Sequence, residues 1–132
     1  MPANYRSNEF QQDDARGHRI ASPVVGDPVT IRSNVISNDS ANPAVGTGKS
    51  FVGFRYIEVE FAVSGTNPVW VVTPLLMNSD RTAYMEGEAI TLSGAKSSVY
   101  MLNVNGSPGV NFKCNGSSGT NPAITIKARG FN

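Results

Sequence analysis

Residues 57–72, with the sequence IEVEFAVSGTNPVWVV, decide the fold class of this chain. In residues 57–63 apolar side chains occupy the odd positions and mostly polar or small ones the even positions, a period of two that predicts a half-buried β-strand. The segment 64–68, SGTNP, holds residue types that favour turns. VWVV at 69–72 is apolar and mostly β-branched, so we expect a central strand covered on both faces.

Similar short apolar or alternating runs recur on both sides of this stretch. They lie at residues 29–35, 75–77, 89–93, 99–104, 110–114 and 124–128. Clusters of Gly, Asn, Ser and Pro separate them, and Pro74 predicts a bulge or a strand end because it cannot donate to a ladder. Seven or eight short strands at about 8–12-residue spacing predict an all-β fold, an antiparallel sandwich or barrel. Of the two we expect an antiparallel β-sandwich, of jelly-roll type.

The chain of 132 residues has the length of one domain. Residues 1–21 carry many charges and fit neither a helix nor a strand template, so we expect an extended N-terminal arm, lying on its own domain or on a neighbouring subunit. Residues 22–132 are expected to form a single β-sandwich domain. The candidate partner-interface residues are four in the arm and one in the following loop: Tyr5, Phe10, Arg16, Arg19 and Lys49.

Composition excludes several classes of protein. Charged residues make up 16% of the chain, and the formal net charge is +1, so a nucleic-acid partner held by phosphate attraction is not expected. Polarity comes instead from 13 Asn, 14 Ser and 13 Gly. One Cys and one His cannot form a disulfide framework or a zinc site, and no cofactor or metal is expected. No apolar run is long enough to span a membrane, and the N-terminus lacks a secretory h-region.

The motifs that could carry catalysis are weak. GTGKS at 46–50 resembles the end of a phosphate-binding loop, but Pro43 stands where that motif needs Gly, and strand pattern follows rather than helix. Glu58 and Glu60 share one strand face, as in a glycosidase pair, yet a solvated face explains them better. Glu86 with Glu88, and Asp13 with Asp14, lack the spacing of a calcium loop.

Structural roles also explain the single candidate residues better than functional ones. His18 lies in the polar arm without a catalytic partner. Cys114 alternates with apolar residues and should face the core, and its isolation fits synthesis in a reducing cytoplasm. The rings that could stack on a sugar are Phe54, Trp70, Tyr84 and Tyr100. Trp70 lies inside VWVV, where burial is the expected outcome.

The pentapeptide SGTNP occurs twice, at 64–68 and 118–122. Two hairpins that use the same favourable turn would explain it, and so would two pseudo-symmetric halves of a Greek-key sandwich. The second copy fits the alternation of its preceding strand only with one extra residue, which indicates a bulge.

Three classes of function remain open. The chain could be a structural subunit that assembles with copies of itself or with another shell protein, a carbohydrate-binding module, or a small enzyme. Neutral composition, the polar arm and the lack of a catalytic constellation favour the structural subunit, so we expect no enzymatic activity.

FRYIEVEFAVSGTNPVWVVTPLL at 54–76, YMEGEAITLSG at 84–94, YMLNVNG at 100–106 and ITIKARGFN at 124–132 resemble small jelly-roll or β-sandwich structural proteins of tailed-phage virions. These include capsid decoration (cement) proteins and collar or tail components. The resemblance covers residues 51–132, contains no invariant motif and transfers no functional residue. It implies a subunit made in the host cytoplasm, located in the virion, and held as a homo-oligomer or on a lattice by the major capsid protein or neighbouring copies.

Overall fold

The computed structural model describes residues 25–132, which form one antiparallel β-sheet. Its strands are β1 (Val29–Val35), β2 (Tyr56–Met77), β3 (Tyr84–Glu86), β4 (Ile90–Ser93), β5 (Ser97–Asn103) and β6 (Val110–Phe131), with one 3₁₀ turn at Val45–Thr47. The order is β1-β6-β2-β3, and β4 and β5 also pair with β2. The sheet is not closed into a barrel. Separately, no helix within residues 25–132 is long and apolar enough to cross a membrane.

The long strands β2 and β6 pair along their lengths and fold over together. Phe61 contacts Phe112 edge to face, with 5.5 Å between ring centroids, although Phe112 pairs with Pro74 in the ladder. On a straight strand Phe61 and Pro74 would lie roughly 40 Å apart, at about 3.3 Å per residue. The contact is therefore possible only because the ribbon bends back on itself.

The bend divides the sheet into two packed layers. The first layer holds residues 56–63 and 123–131 with β1 and β5, and the second holds 69–77 and 110–118 with β3 and β4. The alternating residues of 57–63, Trp70 and the inward residues of β6 fill the space between them. The predicted all-β antiparallel fold is thus confirmed. The jelly-roll topology expected within that class is not established by this strand order.

The two SGTNP segments form the bend. Each lies inside a continuous strand, so the prediction that they are turns between strands is wrong. Thr66 pairs with Thr120, and the register shifts on both sides of this pair. Gly and Asn occupy positive φ in both copies, at 120° and 47° in the first and at 96° and 49° in the second. The same chemistry that suits a turn therefore serves here as a pair of bulges that bend two strands together.

The strand predictions hold well within the layers. Val59 and Phe61 are fully buried, as the alternation indicated. Trp70 and Val72 are fully buried, whereas Val69 is only partly covered. The expectation that VWVV is covered on both faces is therefore wrong. The indole Nε1 of Trp70 has no hydrogen-bond partner in the described part of the chain.

Candidate interaction surface

The first layer exposes a mixed face of charged and apolar residues. In the β2–β6 ladder Glu58 pairs with Arg129 and Glu60 with Lys127. The Arg129 Nε donates to the Glu58 Oε1 at 2.7 Å. Two columns of opposite charge therefore run side by side on this face, and an exposed ion pair of this kind contributes at most about 1 kcal/mol to the free energy of unfolding. Glu58 and Glu60 do share a face, as the sequence predicted.

Strand β5 carries the apolar part of this face. Val99 pairs with Glu60 and Met101 with Glu58, so both lie beside the charged columns. Their exposed fractions are 61% and 58%, and that of Tyr100 between them is 36%. These three consecutive residues are therefore among the large hydrophobic side chains that are exposed in the described part of the chain. Such concentrated apolar exposure marks interaction sites in soluble proteins.

A cleft opens beside β5, between the two layers. It has a volume of about 310 Å³. Apolar side chains from both layers line it, among them Leu76, Ile90, Tyr100, Leu102 and Val104. The Tyr100 ring also contacts Phe61 edge to face, with 5.5 Å between centroids. The layers are thus not sealed to each other on the β5 side.

The opposite side of the sandwich is closed by an ion pair. Arg32 on β1 donates to both carboxylate oxygens of Asp39, at 2.8 and 3.0 Å, and to the Phe112 carbonyl at 2.8 Å. Asp39 accepts from the Cys114 amide at 2.7 Å and donates its own amide to the Cys114 carbonyl at 2.8 Å. The pair therefore ties the first layer and the loop after β1 to the edge of β6 in the second layer.

Burial and hydrogen bonding act against each other in this pair. Burial alone would raise the pKa of Asp39, but hydrogen bonds from Arg32 and the Cys114 amide, with the charge of Arg32, lower that pKa below its ordinary value. The hydrogen bond to Asp39 in turn raises the pKa of Arg32. Both groups are therefore charged at neutral pH. This ion pair, called the Arg32–Asp39 clamp below, has a structural rather than a reactive role.

Of the five predicted interface residues, the structure places Lys49. Its backbone exchanges two hydrogen bonds with Val110, at 2.9 and 2.8 Å, and its side chain is exposed. Lys49 thus helps to hold the loop on β6. Tyr5, Phe10, Arg16 and Arg19, together with His18, Asp13 and Asp14, lie outside the described residues. Whether any of the five contacts a partner stays a prediction.

The weaker motifs take structural positions. GTGKS passes from a 3₁₀ turn into the β6 bridge and begins no α-helix. Trp70 is fully buried, and the Tyr84 hydroxyl donates to the Val45 carbonyl at 3.1 Å. Cys114 is buried, and that burial raises the pKa of its thiol to about 12. Within residues 25–132 no three His, Cys, Asp or Glu side chains gather closely enough to hold a metal ion.

Sequence reasoning missed the Arg32–Asp39 clamp and the edge position of β5. The clamp joins Arg32 and Asp39, seven positions apart, to Phe112 on β6, about eighty residues away. No local sequence pattern predicts such a contact. The edge strand left one trace: SSVYMLN at 97–103 is an apolar-rich strand without a charged residue.

Comparison with known proteins locates the fold. No protein-family model matches the chain, and no curated protein does. Among solved structures, the crystal structure of the SPBc2 prophage-derived protein YomS is similar, with a TM-score of 0.52 and 15% sequence identity. The match covers 86% of this chain and 97% of that one. The likeness extends over most of both chains, and what this chain shares with that prophage-derived protein is its all-β fold.

Proposed function

We propose that this chain is a non-enzymatic structural protein of a phage virion, and specifically a capsid decoration subunit. It is made in the host cytoplasm and reinforces the assembled particle through protein–protein contacts. Its partners are the major capsid protein or neighbouring copies of itself. No nucleic acid, membrane or cofactor takes part.

The exposed apolar strand β5 carries this proposal. Val99 and Met101 form an exposed apolar strip on the outer face of β5, and the charged columns of β2 and β6 lie beside it. Tyr100 points to the other face, where it is partly exposed at the cleft. An apolar patch bordered by charged residues is a common feature of protein interfaces. The phage context is supported by the fold that the chain shares with a prophage-derived protein.

The carbohydrate-binding alternative has less support. It requires exposed rings on one face, and the largest candidate, Trp70, has no exposed surface. A tail or collar adhesion component uses the same kind of protein contact and differs from a decoration subunit only in its place on the particle.

The test is the location of the chain in purified virions of the phage that encodes it. We expect quantitative mass spectrometry to find it at a fixed ratio to the major capsid protein, and antibody labelling to place it on the head. Labelling confined to the tail would support the tail or collar alternative instead. Absence from virions, combined with specific binding on a glycan array, would overturn the proposal.

A further inference from the structure

The described strands differ sharply in how their free edges are protected. Strand β1 has two register shifts against β6, β3 has three residues and β4 has four. The second-layer edge of β6 is covered by the loop that includes Asp39 and Lys49. Bulges, short strands and covering loops are the usual ways of preventing edge-to-edge pairing.

In the part of the chain that the structure describes, strand β5 has none of these protections. Its seven residues pair one to one with β2, from Tyr56 opposite Asn103 to Ala62 opposite Ser97, without a register shift. Within residues 25–132 no other strand pairs with it. It contains no Pro, Lys or other charged residue. A regular, uncharged and apolar edge exposes a row of backbone donors and acceptors that another strand can satisfy.

We infer that β5 pairs antiparallel with β5 of a second copy of this chain, with Tyr100 at the two-fold axis. This deepens the proposed function, on which its biological purpose rests, by naming a partner and a contact. The two first layers then join into one continuous sheet across the dimer. The interface is isologous, so each copy contributes the same strand.

The register follows from the side chains of β5. With Tyr100 opposite itself, Val99 of each copy lies opposite Met101 of the other, and the exposed apolar residues cover one another. Ser97 then lies opposite Asn103, and Ser98 opposite Leu102. A shift by two residues in either direction would place Val99 or Met101 opposite a polar residue and leave part of that surface in water.

The same pairing covers the cleft between the layers. Tyr100 and Leu102 line the cleft of their own copy, on the face of β5 opposite to Val99 and Met101. In the dimer the second copy's β5 presents its own Tyr100 and Leu102 beside the mouth of that cleft. A second copy also brings no like charge to the contact, since β5 is uncharged.

The first measurement is the mass of the full chain in solution. Sedimentation equilibrium should find twice the chain mass of 14.0 kDa at micromolar concentration. Met101→Lys should raise the dissociation constant of the dimer by about 100-fold, because two symmetry-related lysines enter the contact. Ile36→Lys is the matched control, since Ile36 is similarly exposed, at 68%, and follows β1, which β6 and β2 separate from β5; it should leave the constant unchanged.

The second measurement fixes the register. Val99→Cys mixed with Met101→Cys should form a disulfide between copies rapidly under mild oxidation, and either variant alone should form it much more slowly. The native Cys114 is buried and does not compete. A chain that stays monomeric at high concentration, a dimer insensitive to Met101→Lys, or faster crosslinking of Val99→Cys with itself would each overturn the inference.

Virion incorporation separates this inference from the proposed function. A monomeric chain that is still found in virions would overturn the β5 pairing alone. A β5-paired dimer that is missing from virions would overturn the structural role and leave the pairing established.

Discussion

Thr66 and Thr120 occupy the same position in the two SGTNP segments and lie directly opposite each other in the β2–β6 ladder. The glycine before each threonine packs against the backbone of the other SGTNP segment. A Cβ on Gly65 would meet the Asn121 carbonyl at 2.7 Å, and a Cβ on Gly119 would meet the carbonyls of Asn67 and Thr66. The repeated pentapeptide is therefore a reciprocal contact with local two-fold symmetry.

Gly65→Ala should lower the free energy of unfolding by more than about 2 kcal/mol, because it adds steric crowding to a φ of +120°. Gly94→Ala is the matched control, since Gly94 has a φ of +98° but open space around its Cα. It should lower the same quantity by about 1 kcal/mol. Urea denaturation of both variants measures the difference. Equal losses would show that the contact between the two SGTNP segments contributes nothing to the free energy of unfolding.

Val59→Asp should prevent stable folding, with a loss above about 4 kcal/mol, because it places an unpaired carboxylate between the two layers. Val59 has no exposed surface. The control is Val52→Asp at a site that is 64% exposed, and it should change the melting temperature little. A normal melting temperature for Val59→Asp would contradict the inward phase of β2.

Asp39→Ala should lower the free energy of unfolding by about 1–3 kcal/mol at neutral pH, because Arg32 and the Cys114 amide lose their acceptor. The folded-state pKa of Asp39 lies below its ordinary value of 3.8. The stabilisation is therefore complete above that value and is lost as the pH falls through the folded-state pKa.

The difference in stability between wild type and Asp39→Ala should thus be constant from about pH 5 upward and shrink below about pH 4. Urea denaturation at several pH values measures it. Asp80→Ala, at an exposed position, is the control and should change the free energy of unfolding at neutral pH by less than about 0.5 kcal/mol. A difference that persists unchanged to pH 2 would show that the Asp39 carboxylate does not carry the clamp.

Cys114 should not react with a water-soluble disulfide reagent at pH 8 in the native protein. Burial raises the pKa of its thiol to about 12, so roughly one molecule in ten thousand carries the thiolate at that pH. Absorbance of the released thiol measures the rate, and the reaction should become fast in urea. Rapid labelling of the native chain would contradict the burial of β6 in the core.

Strand positions were predictable because period-two alternation reports burial on one face, as residues 57–63 and 124–128 show. The continuity of β2 and β6 was not, because the Gly and Asn-Pro chemistry of SGTNP suits a turn and a bulge equally well. Tyr84–Glu86 is too short to show a pattern. The Arg32–Asp39 clamp and the edge position of β5 depend on which distant segments become neighbours, and no local window contains that information.

The shared use of β2 and β6 by both layers has a consequence for cooperativity. In a sandwich of two separate sheets, one sheet can open while the other keeps its ladder. Here each long strand belongs to both layers, so fraying one layer exposes the core face of the other. We expect the slowest amide protons of both layers to exchange together, in one global unfolding event. Pairing Tyr56 with Phe131 also closes most of the described chain into one loop, so we expect this domain to fold slowly.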